Sequence, residues 1–286
     1  IVDTTIVNVA LTNMRGSLGA TLTDIAWVIT AYAIANVIII PMTSWLSQQF
    51  GRRNYFAASI ILFTIASFLC GNASNIWELV IFRFIQGLGG GALLVTAQTI
   101  ITESYPTEKR GMAQAIYGMG VIVGPTLGPP LGGYIVDNFS WPYIFYINIP
   151  IGIAATFLTL SFVKSPKYGN KLSANQVDWW GIITLSAFIG SLQYVLEHGQ
   201  QDDWFNDSII TTLSIISFLG LFFFIWRETV YKYPIVNLKV LSDQNLKIGT
   251  IMCFILGFGL YGSTFIIPIY TQAILGWTAL DAGLLL

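Results

Sequence analysis

The stretch that decides the fold is Gly118–Gly133, GMGVIVGPTLGPPLGG, which lies inside an apolar segment long enough to cross a bilayer. On a helix, glycines spaced four residues apart form a strip without side chains, along which a neighbouring backbone can approach closely. The glycines of this strip are Gly120, Gly124, Gly128 and Gly132. The prolines that interrupt its hydrogen bonds, and that are expected to bend it, are Pro125, Pro129 and Pro130. Because interior glycine costs about 1 kcal/mol and interior proline about 3 in a helix, the pattern favours a membrane helix that packs tightly and flexes.

The composition indicates an integral membrane protein. The 286 residues are 55% hydrophobic and only 9% charged, whereas a soluble domain carries about 25% charged residues. No basic surface suited to nucleic acid is visible, and both cysteines fall in apolar segments, where they are expected to pack. Walker, zinc-ligand, triad and haem motifs are absent from the sequence, so we expect no enzyme activity, no metal and no cofactor. Energy from ATP hydrolysis would have to come from another chain, whereas a proton or sodium gradient needs only an acidic residue within the membrane.

Hydropathy predicts an all-α, polytopic transmembrane helix bundle. The predicted helices span roughly 1–12, 25–46, 55–71, 77–99, 112–135, 143–163, 179–196, 208–226 and 247–271, and a further one begins near Asp281. Two starts carry side-chain caps, Thr21 with Asp24 and Asn75 with Glu78. The sequence begins partway along the first predicted helix and ends before the last predicted helix is complete, so we expect a fragment of a longer chain.

Basic residues set the orientation. They concentrate in alternate connections: Arg52 and Arg53, Lys109 and Arg110, Lys164, Lys167 and Lys171, then Arg227, Lys232, Lys239 and Lys247. The intervening connections hold only Arg15, while acids cluster between residues 197 and 207. The positive-inside rule therefore places the basic connections in the cytoplasm. The location expected for the protein is the cytoplasmic (inner) membrane.

Two charged residues lie at lipid depth. Asp3 is expected about 12 to 15 Å below the outer surface, and Arg83 about 9 Å inside the outer end of the fourth helix, at 1.5 Å per residue. Isolated charges there are costly, so each is a functional candidate. The alternatives are that Asp3 sits near the cytoplasmic end as a helix-start residue and that Arg83 reaches the headgroups. Gln86 follows Arg83 on the same face, which favours the bundle interior.

Other polar positions could line a cavity, although each alone is as readily explained by packing or by the membrane interface. These candidates are Asn8, Gln98, Tyr117, Tyr261 and Gln272. The single histidine, His198, is expected to be a solvated loop residue.

The glycine-proline stretch resembles the antiporter motif of drug:proton antiporters of the major facilitator superfamily, in the form found in the fourteen-helix EmrB/QacA type. Further resemblances follow in the order expected for that family. They are DTTIVNVAL at Asp3–Leu11, WLSQQFGRR at Trp45–Arg53, FRFIQGLGGG at Phe82–Gly91, PTEKRG at 106–111, WPYIFYINIPIG at Trp141–Gly152, EHGQQDDWFNDS at 197–208 and GFGLYGSTFIIPIYTQ at 257–272.

The resemblance implies specific roles. Asp3 and Arg83 would couple protons to substrate, and Arg52 with Arg53 would gate the cytoplasmic side. The seal between the two halves of the transporter would be formed by Gly120, Gly124, Pro125, Gly128, Pro129 and Gly132. The family usually has glycine and aspartate where this chain has Ser44 and Gln48, which puts a gating salt bridge through that aspartate in doubt. The implied organisation is an N-terminal half at 1–163, two inserted helices at 164–246, and the start of a second half at 247–286.

The function predicted is proton-coupled export of small amphipathic, often cationic, toxic compounds by alternating access, which amounts to multidrug efflux. One alternative is a transporter of the same fold that exports a metabolite, lipid or siderophore, or imports a nutrient. The other is a non-transporting receptor or scaffold. In a source with two membranes, the resemblance implies a periplasmic adaptor and an outer-membrane channel as partners, beside the lipid bilayer itself.

Overall fold

The computed structural model describes residues 2–164 and 178–277, together with Asp281 and Leu285. In this part of the chain, seven helices are long and apolar enough to cross a membrane, and the all-α polytopic bundle predicted from the sequence is confirmed. Lys167, Lys171 and most of the helix predicted from Asp281 onward lie outside the described residues.

The described part of the chain contains ten α-helices. They are α1 (Val2–Leu18), α2 (Leu22–Phe50), α3 (Arg52–Gly71), α4 (Ile76–Ser104), α5 (Thr107–Asn138), α6 (Tyr143–Tyr146), α7 (Asn148–Phe162), α8 (Trp179–His198), α9 (Ser208–Val230) and α10 (Gln244–Ala273).

The helix ends extend beyond the apolar segments that predicted them. α1 continues to Leu18 rather than to about residue 12, and Gly51 alone separates α2 from α3, with a φ of +82° that glycine adopts without strain. Arg52 and Arg53 therefore lie in the first turn of α3, not in a loop. Hydropathy marks only the part of a helix in hydrocarbon, whereas backbone hydrogen bonding continues through polar residues into the interface.

Both predicted caps are present. Thr21 and Asp24 form a reciprocal capping box, in which each side chain accepts from the other's backbone N–H at 3.1 Å. The Asn75 side chain accepts from the backbone of Glu78 at 3.0 Å, while the Glu78 carboxylate accepts from the backbone of Ser74. These bonds satisfy amides that a helix start otherwise leaves without partners.

The helix predicted at 143–163 is divided at Ile147 into α6 and α7. Pro150 has no N–H to donate to the carbonyl four residues earlier, which explains the local break. By contrast, the prolines of the glycine-proline stretch do not end α5, which is helical throughout Thr107–Asn138.

Glycines of α4 let two neighbours pack on it. A Cβ at Gly87 would lie 2.6 Å from the carbonyl oxygen of Tyr32 on α2, and one at Gly89 would lie 2.7 Å from the backbone nitrogen of Phe63 on α3. Neither position has room for a side chain. α4 is therefore held between α2 and α3, with its Arg83 face turned into the bundle.

The pair formed by α8 and α9 packs on α2. Near the outer surface, the Thr30 hydroxyl donates to the Glu197 carboxylate at 2.6 Å, and Trp27 contacts the stacked rings of Tyr194 and His198. His198 is thus part of an aromatic cluster and not the solvated loop residue expected from the sequence. The division into 1–163, 164–246 and 247–286 stays a prediction.

Candidate functional site

Asp3 and Arg83, eighty residues apart in the chain, form a buried ion pair. A terminal guanidinium nitrogen of Arg83 lies 2.7 Å from a carboxylate oxygen of Asp3, and the two residues are only 5% and 1% exposed. Neither side chain reaches the headgroups or bulk water. The two intramembrane charges that the sequence singles out separately therefore compensate each other, which is how charged groups become tolerable at this depth.

α2 positions the guanidinium of Arg83. The Nε of Arg83 donates to the carbonyl oxygen of Val28 at 3.2 Å, and the guanidinium carbon of Arg83 lies 4.2 Å from the ring centroid of Tyr32. A guanidinium held on one side by a carbonyl and on one face by an aromatic ring has little freedom to rotate. These two contacts orient Arg83 toward Asp3 on α1.

Two amide side chains complete the shell around Asp3. The amide nitrogens of Gln86 and Asn148 donate to the same carboxylate oxygen of Asp3, at 3.2 and 2.8 Å. Gln86 also accepts from Arg83 at 2.6 Å and donates to Ser67 at 2.7 Å. With Arg83, the carboxylate has three donors, contributed by α4 and α7, and Ser67 links this set to α3.

This arrangement can act as a charge switch. A proton on Asp3 removes the negative partner of Arg83, and the buried guanidinium then lacks its counter-ion, which is strongly unfavourable in a low-dielectric interior. The carboxylate and the guanidinium therefore depend on each other for charge compensation in this packing.

The polar positions singled out in the sequence could line a cavity near Asp3 and Arg83. The pair instead lies in the packed interior. A cavity of about 310 Å³ is found elsewhere, between the cytoplasmic ends of α2 and α8 and the segment that follows α9, with Trp45, Asp178 and Tyr233 in its wall.

The other polar candidates are dispersed. Asn8 is half-buried and its side-chain oxygen has no partner in the described chain, whereas Gln98 is exposed on α4. The Tyr117 hydroxyl donates to the carbonyl oxygen of Leu94 at 2.9 Å and joins α5 to α4. The side chains of Tyr261 and Gln272 lie outside the described set.

The glycine strip of α5 is closed at one end only. Gly128 lies against Thr5, and a Cβ at Gly132 would lie 2.7 Å from a side-chain carbon of Ile6. Gly120 has open space around it, Gly124 and Pro129 are buried, and the side chain of Pro125 is not described. The close approach predicted for the whole strip is thus made to α1 near Asp3, and its other end is unpacked within the described residues.

At the side predicted to be cytoplasmic, Arg52 forms a salt bridge with Glu103 in the last turn of α4. Glu103 is thus an acidic partner for Arg52, although this chain has Gln48 where the family usually has an aspartate. Arg53 is exposed beside it. The gating role of the two arginines stays a prediction.

Sequence reasoning missed Ser67, Asn148 and Glu103 as site residues. Ser67 and Asn148 are polar residues within apolar helices, which is a weak signal because many such residues only bond to their own helix. Their role becomes visible only when the helices are placed side by side.

Comparison with known proteins bears on the resemblance read from the motifs. The sequence profile described as "Major Facilitator Superfamily" matches residues 1–286. This chain belongs to the Major Facilitator Superfamily. As a member of that family, with seven apolar helices in the described part of the chain, it is a multi-pass membrane protein.

Its superfamily relatives include multidrug exporters. The chain is 39% identical over 285 residues to the multidrug export protein EmrB of Escherichia coli K12, covering 99% of this chain and 55% of the relative. It is 40% identical to the fatty acid resistance protein FarB of Neisseria gonorrhoeae, with 99% and 56% covered, and 37% identical to multidrug resistance protein 3 of Bacillus subtilis, with 99% and 55% covered. The chain spans about half the length of the curated relatives it matches.

Among solved structures of the superfamily, the chain resembles a D-xylose-proton symporter with a TM-score of 0.51 and 18% identity, covering 99% of this chain and 74% of that one. At this identity the likeness shows the fold alone. The site geometry of the present chain must therefore be interpreted from its own residues.

Proposed function

We propose that this protein exports amphipathic, often cationic, toxic compounds across the cytoplasmic membrane in exchange for protons. The observation that carries the proposal is the buried pair between Asp3 and Arg83. A carboxylate that is either paired with a guanidinium or protonated gives the protein two states with different charge, which is what coupling to a proton gradient requires. The similarity to EmrB, which is named a multidrug export protein, supports toxic compounds as the class of cargo.

The strip of α5 would transmit the change. Gly128 and Gly132 contact α1 two to three residues from Asp3, so a shift of α1 on opening of the ion pair is passed directly to α5. In an alternating-access cycle, a proton entering from outside displaces Arg83 from Asp3, and a cationic substrate bound from inside replaces that proton.

The test uses the protein expressed at full length and reconstituted in vesicles with an imposed proton gradient. We expect Asp3→Asn to lose proton-driven dye transport while still binding the dye. Asp24→Asn is the matched control, because Asp24 lies in the first turn of α2 and an asparagine oxygen can still accept the bond from the Thr21 N–H. Proton-driven transport by Asp3→Asn at the rate of the control would remove Asp3 from the mechanism.

A second cargo class is supported by the 40% identity to the fatty acid resistance protein FarB. Export of a fatty-acid-like anion would pair the cargo with Arg83 rather than with Asp3. The susceptibility of a deletion strain to cationic dyes and to long-chain fatty acids distinguishes the two cargo classes. Sensitivity to cationic dyes alone supports the first proposal, and sensitivity to long-chain fatty acids alone supports the second.

We further propose that the driving force is the proton gradient without a bound cofactor, and that in a two-membrane source a periplasmic adaptor and an outer-membrane channel complete the pathway. The adaptor rests on the family resemblance. Co-purification of a periplasmic protein with this transporter from cross-linked membranes of its source is the corresponding measurement.

A further inference from the structure

The inserted pair of helices carries an apolar groove at its cytoplasmic end. The groove has a volume of about 420 Å³ and is lined by Trp180 and Thr184 of α8 and by Phe223, Trp226 and Arg227 of α9. The Thr184 hydroxyl donates within its own helix, at 2.8 Å to the carbonyl of Trp180. The walls are therefore effectively apolar, with one guanidinium at the rim.

Arg227 is fixed at that rim. Its Nε lies 2.9 and 3.1 Å from the two oxygens of Asp178, and its head stacks 4.0 Å from the ring centroid of Tyr231. Within the described chain, its two terminal nitrogens have no hydrogen-bond acceptor. A planar fork of N–H donors held in place in this way matches the oxygens of a phosphate.

The position of the groove agrees with the headgroup level of the cytoplasmic leaflet. Trp180 lies in the first turn of α8 and Arg227 in the last turn of α9, and both tryptophans of the groove are more than half exposed. Tryptophan concentrates at this level because its ring is apolar and its N–H remains wet. Phe223 lies one turn deeper than Arg227, about 6 Å toward the bilayer centre.

We infer that this groove binds one phospholipid of the cytoplasmic leaflet, with its phosphate on Arg227, its ester region beside the indoles of Trp180 and Trp226, and an acyl chain along Phe223. The charge and the apolar wall each match one part of this ligand. Lys232, exposed just beyond α9, adds positive charge on the same side of the membrane. The inference concerns the inserted pair and does not depend on the coupling role of Asp3.

The experiment measures lipid binding by the full-length protein in detergent, using native mass spectrometry during titration with phosphatidylglycerol and with a diacylglycerol that lacks the phosphate. We expect saturable binding of one phosphatidylglycerol, and about tenfold weaker binding of the diacylglycerol, since charge-assisted phosphate bonds are the strong ones here. Equal affinity for the two lipids would overturn the phosphate site.

Two variants locate the binding. Arg227→Lys keeps the positive charge for Asp178 but loses the fork, and Trp226→Leu keeps an apolar wall but loses the indole. Each should weaken phosphatidylglycerol binding several-fold. Trp77→Leu is the matched control, because Trp77 is a similarly exposed tryptophan in the first turn of α4, at the opposite membrane surface. Unchanged affinity in both groove variants would refute the assignment.

A measurement on the unmodified protein covers the case in which a variant fails to fold. A phosphatidylglycerol analogue with a photoreactive acyl chain should label peptides from α8 and α9 around Thr184 and Phe223 in preference to the more exposed apolar residues of α10. Labelling spread evenly over α10 and the inserted pair would show ordinary annular lipid and would overturn the inference.

Discussion

Gly132→Ala tests how closely α1 and α5 are packed beside the ion pair. A Cβ at this position would lie 2.7 Å from the side-chain Cγ1 of Ile6 and 3.0 Å from the Ile6 carbonyl oxygen, where carbon atoms prefer about 3.5 to 4.0 Å. The backbone oxygen cannot rotate away, so the two helices must separate by a few tenths of an ångström at this point. Overpacking of this kind costs about 1 to 3 kcal/mol.

The intrinsic gain of alanine over glycine in a helix opposes that cost by about 1 kcal/mol. The control Gly190→Ala isolates the packing term, because Gly190 lies inside α8 with nothing within 4 Å of its Cβ position. The same intrinsic gain applies to both variants and cancels in the difference. We therefore expect Gly132→Ala to be about 1 to 3 kcal/mol less stable than Gly190→Ala.

The assay is thermal unfolding of the purified full-length protein in detergent, followed by tryptophan fluorescence. A difference of 1 kcal/mol corresponds to roughly 2 to 4 °C in the Tm of a protein of 150 to 250 residues, and to less in a larger one. Equal Tm values for the two variants would show that α1 and α5 are not in close contact at Gly132. That result would refute the packing on which the transmission from Asp3 to α5 depends.

Three further predictions concern single contacts. Asn148→Ala removes a donor from the site carboxylate and should lower proton-driven efflux about tenfold, as measured by dye transport. Exchanging Arg52 and Glu103, as Arg52→Glu with Glu103→Arg, should restore transport that either single change abolishes. Because this pair is partly exposed, the Tm should change little in all three proteins. Thr30→Val removes a charge-assisted bond to Glu197 and should lower the Tm by several degrees through about 1.5 to 3 kcal/mol.

Each of these has a contradicting outcome. Efflux by Asn148→Ala at the wild-type rate would exclude its amide from the site. Failure of the charge exchange to rescue transport would assign Arg52 a role other than pairing with Glu103. A Tm unchanged in Thr30→Val would mean that the inserted pair is held on α2 by its aromatic contacts alone.

Properties that depend on local sequence could be predicted in advance. The membrane class, the approximate spans and the two caps follow from hydropathy and neighbouring residues, which act over one helix at a time. The orientation inferred from the basic residues stays a prediction. Asp3 and Arg83 could be singled out for the same reason, since a charge in a long apolar segment is conspicuous without any knowledge of its partner. The helix ends were wrong by several residues, because hydropathy reports the lipid boundary and not the end of hydrogen bonding.

The partners were decided only by the tertiary structure. The pair of Asp3 and Arg83 depends on how α1 and α4 are packed. Gly128 and Gly132 allow α5 to pack closely on α1, and the glycines of α4 allow α2 and α3 to pack closely on α4. Ser67 and Asn148 join that site only through this packing. Two other contacts likewise depend on the distance between helices: the part of the α5 glycine strip that packs on α1, and the salt bridge between Arg52 and Glu103. Hydropathy and charge in a single segment carry no information about that distance.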